Sequence, residues 1–139
     1  MTFDFNAWNS QVIPEFRANG GWVTGPDGQR APLVLVHHIG AKSGTERIAP
    51  LAFYTENDRM FIFASKGGAD TNPDWYHNLV ANPRVTIEFG ADTFEVVAKV
   101  ITGPERDDIY AKQAAAMPNF AEYQANTTRV IPVIELIRD

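Results

Sequence analysis

With 139 residues and 12 Lys plus Arg set against 17 Asp plus Glu for a net charge of -5, the chain has the size of one ordinary domain. It lacks the basic surplus that tracking nucleic-acid phosphates requires. The absence of cysteine excludes disulfides, iron–sulfur clusters, thiolate zinc sites and cysteine nucleophiles, and the apolar content suffices for one core without staples.

Residues 1–139 are therefore read as a single domain, an N-terminal helix and loop over 1–31 followed by a core over 32–139. Phe5, Trp8, Val12 and Phe16 recur at helical spacing, with Pro14 expected to kink or split the helix and Asn19-Gly20-Gly21 to end it. Met1 to Asn19 mixes Asp4, Asn6, Asn9, Glu15 and Arg17 among its apolar residues. That mixture suits neither a signal-peptide core nor a membrane span, and a cytoplasmic location is expected. Gly20 to Pro32, with Gly25-Pro26-Asp27-Gly28 inside it, reads as an irregular loop.

Pro32 to Ile39 and Arg47 to Thr55 are extended runs joined by a polar turn, an expected hairpin. Asn57-Asp58 turns into Arg59 to Ser65, apolar on both faces and so expected mid-sheet. Asn72-Pro73-Asp74 predicts a capped helix over Asp74 to Ala81 with proline at its first position, stopped by Asn82-Pro83. Val85-Ile87-Phe89 and Phe94-Val96-Ala98-Val100 alternate about Gly90-Ala91-Asp92, the clearest hairpin in the chain. Thr102 with Glu105 and Asn119 with Glu122 read as capping boxes for helices reaching about Met117 and Thr127. Val130 to Ile137 is a last strand whose Pro132 calls for an edge or a bulge. About six mostly antiparallel strands with short turns predict a β-rich α+β fold, a sheet curled into a small barrel with helices outside.

The dinucleotide, P-loop and nucleophile-elbow glycine motifs are missing. His37 and His38, adjacent on a strand, point to opposite faces and cannot jointly clasp a metal, so no metal site is expected. Each histidine reads first as a satisfied core or surface residue. Two loops stand out. Gly40-Ala41-Lys42-Ser43-Gly44-Thr45-Glu46-Arg47 offers cations, hydroxyls and backbone N–H groups to an anion, although a solvated hairpin turn has the same composition. Ala64-Ser65-Lys66-Gly67-Gly68 leaves the most apolar strand and is followed by Trp75, Tyr76 and Asn78 on the short helix. Its glycines let a flat ligand approach main chain closely, or simply serve the turn, with Trp75 a core anchor.

At these residues the chain resembles the deazaflavin-dependent nitroreductase and quinone reductase family. Its members carry a T-G-[RA]-K-[ST]-G-x-x-R turn and an A-S-K-G-G-x-x-x-x-P-x-W-Y-x-N-L segment. Ile39 to Arg47 and Ala64 to Leu79 carry these, and Tyr123 to Pro132 resembles the family's Y-Q-x-x-T-x-R-x-I-P ending. The resemblance covers about Pro32 to Val133 and implies a split β-barrel oxidoreductase. Its coenzyme would be F(420), a reduced 8-hydroxy-5-deazaflavin whose hydride passes to a quinone, an activated enone or a nitro-aromatic.

By position, Lys42, Ser43 and Arg47 match the family's contacts to the anionic tail, and Ile48, Ala49 and Pro50 its coenzyme lining. Ala64, Ser65, Lys66, Gly67 and Gly68 match the residues holding ring and phosphate, with Trp75, Tyr76 and Asn78 completing that wall. Ala41 stands where some relatives have arginine, which removes one cationic contact. Ser65, Met117, Phe120 and Tyr123 are the candidate substrate contacts. Met117 and Phe120 occupy positions at which a nitro-reducing relative resembles a tyrosine pair, so weaker activity on bulky nitroimidazoles than on quinones is expected. An FMN-binding split-barrel reductase and a non-catalytic carrier of the deazaflavin or of a hydrophobic ligand are the alternatives. The expected partner is a small electron acceptor rather than nucleic acid, and the expected state is a monomer or homodimer without an integral membrane segment.

Overall fold

The computed structural model describes residues 5–25 and 28–139, with side chains from residue 10 onward. The expected roles of Phe5, Trp8 and the Pro26-Asp27 pair lie outside the described residues. Helix α1 (Phe5–Ala18) runs through Pro14 without dividing and is followed by a two-stranded ribbon, β1 (Trp22–Thr24) with β2 (Arg30–Pro32). That ribbon occupies the segment expected to be irregular; three-residue strands are too short to show alternation.

The main sheet is built from β3 (Val34–Ile39), β4 (Glu46–Leu51), β5 (Phe53–Glu56), β6 (Arg59–Phe63), β7 (Arg84–Phe89), β8 (Asp92–Ile101) and β9 (Val133–Arg138). Its order is β4-β3-β7-β8-β9-β6-β5, and every adjacent pair is antiparallel. The extended run expected from Arg47 to Thr55 is thus two strands broken at Ala52, and the described strands number nine rather than about six. The break has a large consequence. Leu51 ends one edge strand and Phe53 begins the other, so a single residue spans the two outermost strands and the sheet must roll up to bring them together.

Core clusters report the same curl. One draws Val34, Val36, Ala49, Ile62, Val85, Ile87, Val96, Ile134 and Leu136 from six strands onto one interior, which Trp75 and Leu79 of α2 (Asp74–Ala81) help to close. A second lies outside β6 and β9, where α3 (Gly103–Ala116) and α4 (Asn119–Ala125) cover Phe61, Phe63 and Val133 with Ile109, Tyr110 and Phe120. Phe61 and Ile62 therefore bury opposite faces of one strand, which is why β6 is apolar from Met60 onward and lies between two partners. Val12 and Phe16 of α1 cover Leu35 on the outer face of β3.

Four local expectations are corrected. Pro132 needs neither an edge nor a bulge: β9 begins one residue later and lies between β8 and β6, while the Pro132 carbonyl accepts the Ala64 N–H at 3.0 Å. Thr102 occupies the cap of α3 without a side-chain cap bond, and Glu105 pairs instead with Arg59. Asn119 lies inside α4, after a Pro118 cap, and donates to the Tyr123 hydroxyl at 2.9 Å. Likewise Pro73 rather than Asn72 caps α2, because the Asn72 carbonyl accepts from Arg129.

Candidate functional site

A cleft of about 810 Å³ runs along the free edge of β4. Consecutive residues Arg47, Ile48, Ala49, Pro50, Leu51 and Ala52 all line it. Side chains of a strand alternate between faces, so an unbroken run can line one cavity only if the cavity straddles the strand's edge. On the outer side the cleft meets Ser10 and Ile13 of α1; on the inner side it meets His38 and Trp75; Phe63, on the outer face of β6, joins Met117, Asn119, Phe120 and Tyr123 of α4 and its approach.

Its opposite wall is the turn after β6. Ser65 is right-handed helical (φ -74°, ψ -39°), whereas Lys66, Gly67 and Gly68 all have positive φ (47°, 64° and 86°). A right-handed residue followed by a left-handed one turns consecutive N–H groups toward a common side, the concavity that suits an anion. Lys66 holds this conformation without being glycine, a small local strain of the sort that functional turns retain. The turn is braced from outside: Arg129 donates to the carbonyls of Ala64 (3.1 Å), Ser65 (2.9 Å) and Ala69 (2.7 Å) and to Asn72 Oδ1 (2.7 Å).

Of the residues singled out in the sequence, the structure brings Arg47, Ile48, Ala49, Pro50, Ser65, Lys66, Gly67, Trp75, Met117, Phe120 and Tyr123 to this one cleft. Trp75 is at once cleft wall and core anchor. Others lie off the lining. Lys42 and Ser43 sit on the β3–β4 turn, where Ser43 Oγ accepts the Thr45 N–H at 3.2 Å. Ala64 is fully buried beneath the Ser65 turn, and Gly68 faces α4. Tyr76 lines a separate groove of about 260 Å³ with Leu79, Val80 and Val100.

Asn78 is buried and spends its amide internally. Its Oδ1 accepts the Ala41 N–H at 2.9 Å, and its Nδ2 lies 2.9 Å from His38 Nδ1. The helix thereby anchors the basic turn. The lining also includes residues outside the sequence candidates, His38, Ser10, Ile13, Phe63, Asp74 and Asn119 among them. Only His38 carried a usable signal, since strand alternation already set it opposite His37.

The two histidines differ in charge as well as in face. His37 lies between carboxylates, Nδ1 2.8 Å from Glu46 and Nε2 2.7 Å from Glu88, and Glu88 also accepts both nitrogens of the Arg17 fork at 3.0 and 2.9 Å. Burial works to lower the His37 pKa, but hydrogen bonding of its ring N–H groups to Glu46 and Glu88 outweighs it and raises the value. His38 is driven the other way, by burial first and then by nearby Arg47, against a smaller opposing pull from Asp74. No group of acidic and histidine side chains suited to a metal occurs among the described residues.

Several known proteins similar to this chain come from one family. The model of the F420H(2)-dependent quinone reductase family matches residues 8–137. The F420H(2)-dependent quinone reductase Rv1261c of Mycobacterium tuberculosis is 39% identical over 110 residues, covering 77% of this chain and 74% of the relative. A second protein of that organism, the putative F420H(2)-dependent quinone reductase Rv3178, is 37% identical over 105 residues, covering 76% and 88%. Among solved structures, an F420-H2 dependent reductase, FDR-A, superposes with a TM-score of 0.69 at 40% identity over 76% of this chain and 93% of its own. A chain described as a domain-swapped dimer superposes at 0.71 with 34% identity, covering 94% and 97%.

Proposed function

This chain belongs to the F420H(2)-dependent quinone reductase family, and we propose that its β4 cleft holds a reduced 8-hydroxy-5-deazaflavin coenzyme against a small electron-poor acceptor such as a quinone. The observation that carries this reading is the convergence of two sequence-distant loops: Arg47 on β4 and Ser65-Lys66-Gly67 after β6 line the same cleft. The residues present suit such a group. Ile48, Ala49, Pro50, Phe63 and Trp75 offer apolar surface to a flat ring, while Arg47, Lys66 and the left-handed turn offer charge and N–H groups to an anion. Lys42 and Ser43, on the adjoining turn, would meet the far end of an anionic tail rather than the ring.

When bound, the reduced coenzyme supplies a hydride, which with a proton from water converts a quinone to a hydroquinone. The protein's share is alignment and exclusion of water. Met117, Phe120 and Tyr123 would form the acceptor side, with Ser65 close enough in the same cleft to contact either partner. With no tyrosine hydroxyl at positions 117 and 120, quinones should be reduced faster than bulky nitroimidazoles. The reading also places the protein in the cytoplasm as a monomer or homodimer. No described helix is long and apolar enough to cross a membrane, and the domain-swapped relative supports self-association.

Optical monitoring of coenzyme reoxidation by a small quinone tests the proposal. Arg47→Ala and Lys66→Ala should each raise the apparent coenzyme KM about tenfold, the scale of one charge-assisted contact, and Lys42→Ala should raise it less. Unchanged kinetics in all three variants would overturn the assignment of the anion site.

A further inference from the structure

A chain of hydrogen bonds fixes which nitrogen of His38 carries the proton. The Ala41 backbone N–H can only donate, so Asn78 must present Oδ1 to it. The same amide then turns Nδ2, a donor, toward His38 Nδ1 at 2.9 Å. Nδ1 is therefore an acceptor, and the ring proton resides on Nε2. Protonating Nδ1 would set two donors face to face, and rotating the amide to relieve that would orphan the Ala41 N–H. Burial and the proximity of Arg47 push the ring in the same direction, with Asp74 the one nearby carboxylate opposing them.

His38 is 6% exposed, lines the cleft, and its Nε2 has no hydrogen-bond partner among the described residues. Among the described residues no buried side-chain nitrogen or oxygen lacks a partner, so Nε2 keeps its opening onto the cleft. His38 shares the inward face of β3 with Val34 and Val36, whereas its cross-strand neighbour Arg47 is exposed at the rim. An anionic group belongs with the rim cation. A buried donor held neutral matches an uncharged acceptor.

We propose that His38 is a coenzyme-contacting residue, a neutral Nε2–H donor to a ring carbonyl oxygen of the bound deazaflavin, and that Asn78 is its positioning residue, tying that donor to the basic turn. This rests on the cleft being the coenzyme site. The pair Asn78–His38 would make ring recognition and tail recognition share one side-chain amide, since the Ala41 N–H that starts the chain belongs to the turn carrying Lys42 and Ser43.

Two-bond hydrogen–nitrogen correlation spectra of the imidazoles in the free protein should show His38 as the Nε2–H tautomer at neutral pH. An Nδ1–H tautomer or an imidazolium at His38 would overturn the proposal. On adding the oxidised coenzyme to wild-type protein, the His38 Nε2–H resonance should move downfield and exchange more slowly with solvent. Inorganic phosphate alone should leave it in place, and a phosphate-induced shift would overturn the ring assignment.

Calorimetric titration of His38→Phe should give a coenzyme Kd about tenfold weaker than wild type, with His38→Gln, which keeps an N–H donor, weakened less. Asn78→Asp should convert the pair to a carboxylate–imidazolium, visible as protonation of both His38 nitrogens. Coenzyme binding by wild type with equal affinity in His38→Phe would defeat the His38 assignment alone. Absence of binding by wild type would defeat the functional reading beneath it, and the ring contact with it.

Discussion

The Arg129 guanidinium donates to the Ser65 carbonyl at 2.9 Å across 64 positions of sequence, and the same side chain also holds Ala64, Ala69 and Asn72. One cation thus fixes the start and the exit of the turn that walls the cleft. Only a planar fork with several diverging donors can satisfy so many acceptors at once.

Arg129→Lys keeps the charge and loses the fork, so it separates scaffolding from electrostatics. The variant should lose about 2–4 kcal/mol of stability, from several bonds to a charged donor partly replaced by water. Its coenzyme Kd should rise at least tenfold because the left-handed turn is no longer held. Urea unfolding and calorimetric titration measure the two effects, and wild-type values in both would show that the turn keeps its shape unaided.

Much of this arrangement was legible in the sequence, and what was not has identifiable physical reasons. Alternation of Val85-Ile87-Phe89 with Phe94-Val96-Ala98 marked the β7–β8 hairpin because one face of each strand is buried. The bounds of α2 were readable from Pro73 and Asn82, though the cap bond expected of Asn72 goes to Arg129. Pairing of β6 and β8 with β9 was not readable, since those contacts join segments far apart in sequence and leave no local period. The motif loops delivered Arg47, Ser65, Lys66 and Gly67 to the cleft. His38, Ser10 and Phe63 were missed because their membership depends on where the edge of β4 lies, a property of the whole sheet. Asn78, matched by position to the coenzyme wall, also braces the basic turn, a role set by its bond to the Ala41 N–H that no local pattern announces.

The Arg17–Glu88–His37–Glu46 network predicts a pH dependence of stability with a definite sign. The folded-state pKa of His37 is raised, so its stabilisation is fully present below the unfolded value near about pH 6.5 and is lost as pH rises through the raised value. Glu88 is lowered, by the Arg17 hydrogen bond first and then by His37 against the opposing effect of burial. Its contribution is present above the unfolded carboxylate range and is lost as pH falls through the lowered value. Urea midpoints should therefore decline on the alkaline side in wild type and much less in His37→Gln. An identical alkaline decline in the two proteins would remove His37 as its source.

Arg59 and Glu135 form a two-point pair at 2.9 Å on each arm, with the guanidinium 4.9 Å above the Phe61 ring and Glu135 largely buried in β9. Arg59→Met leaves that carboxylate without its guanidinium partner and should lower the urea midpoint. Removing the charge as well, in Arg59→Met with Glu135→Leu, should recover most of the loss. A double-mutant cycle by urea unfolding measures the coupling. Additive losses would mean that the pair is held open to water.

Gly68 sets the spacing between the Ser65 turn and α4. A Cβ there would lie 3.0 Å from both Cα and O of Tyr123, and φ of +86° is left-handed. Gly68→Ala must therefore either strain the turn or push away the helix that carries Phe120 and Tyr123, at a cost of about 1–3 kcal/mol. Arg47 and His38 approach the cleft from the other wall and are untouched by that shift. The variant should accordingly raise the quinone KM by a larger factor than the coenzyme KM. Steady-state kinetics with each substrate varied in turn, alongside a thermal melt, measures both factors. A coenzyme KM that rose as far as the quinone KM would show that the turn takes up the strain in place of α4, or that α4 faces the coenzyme rather than the acceptor.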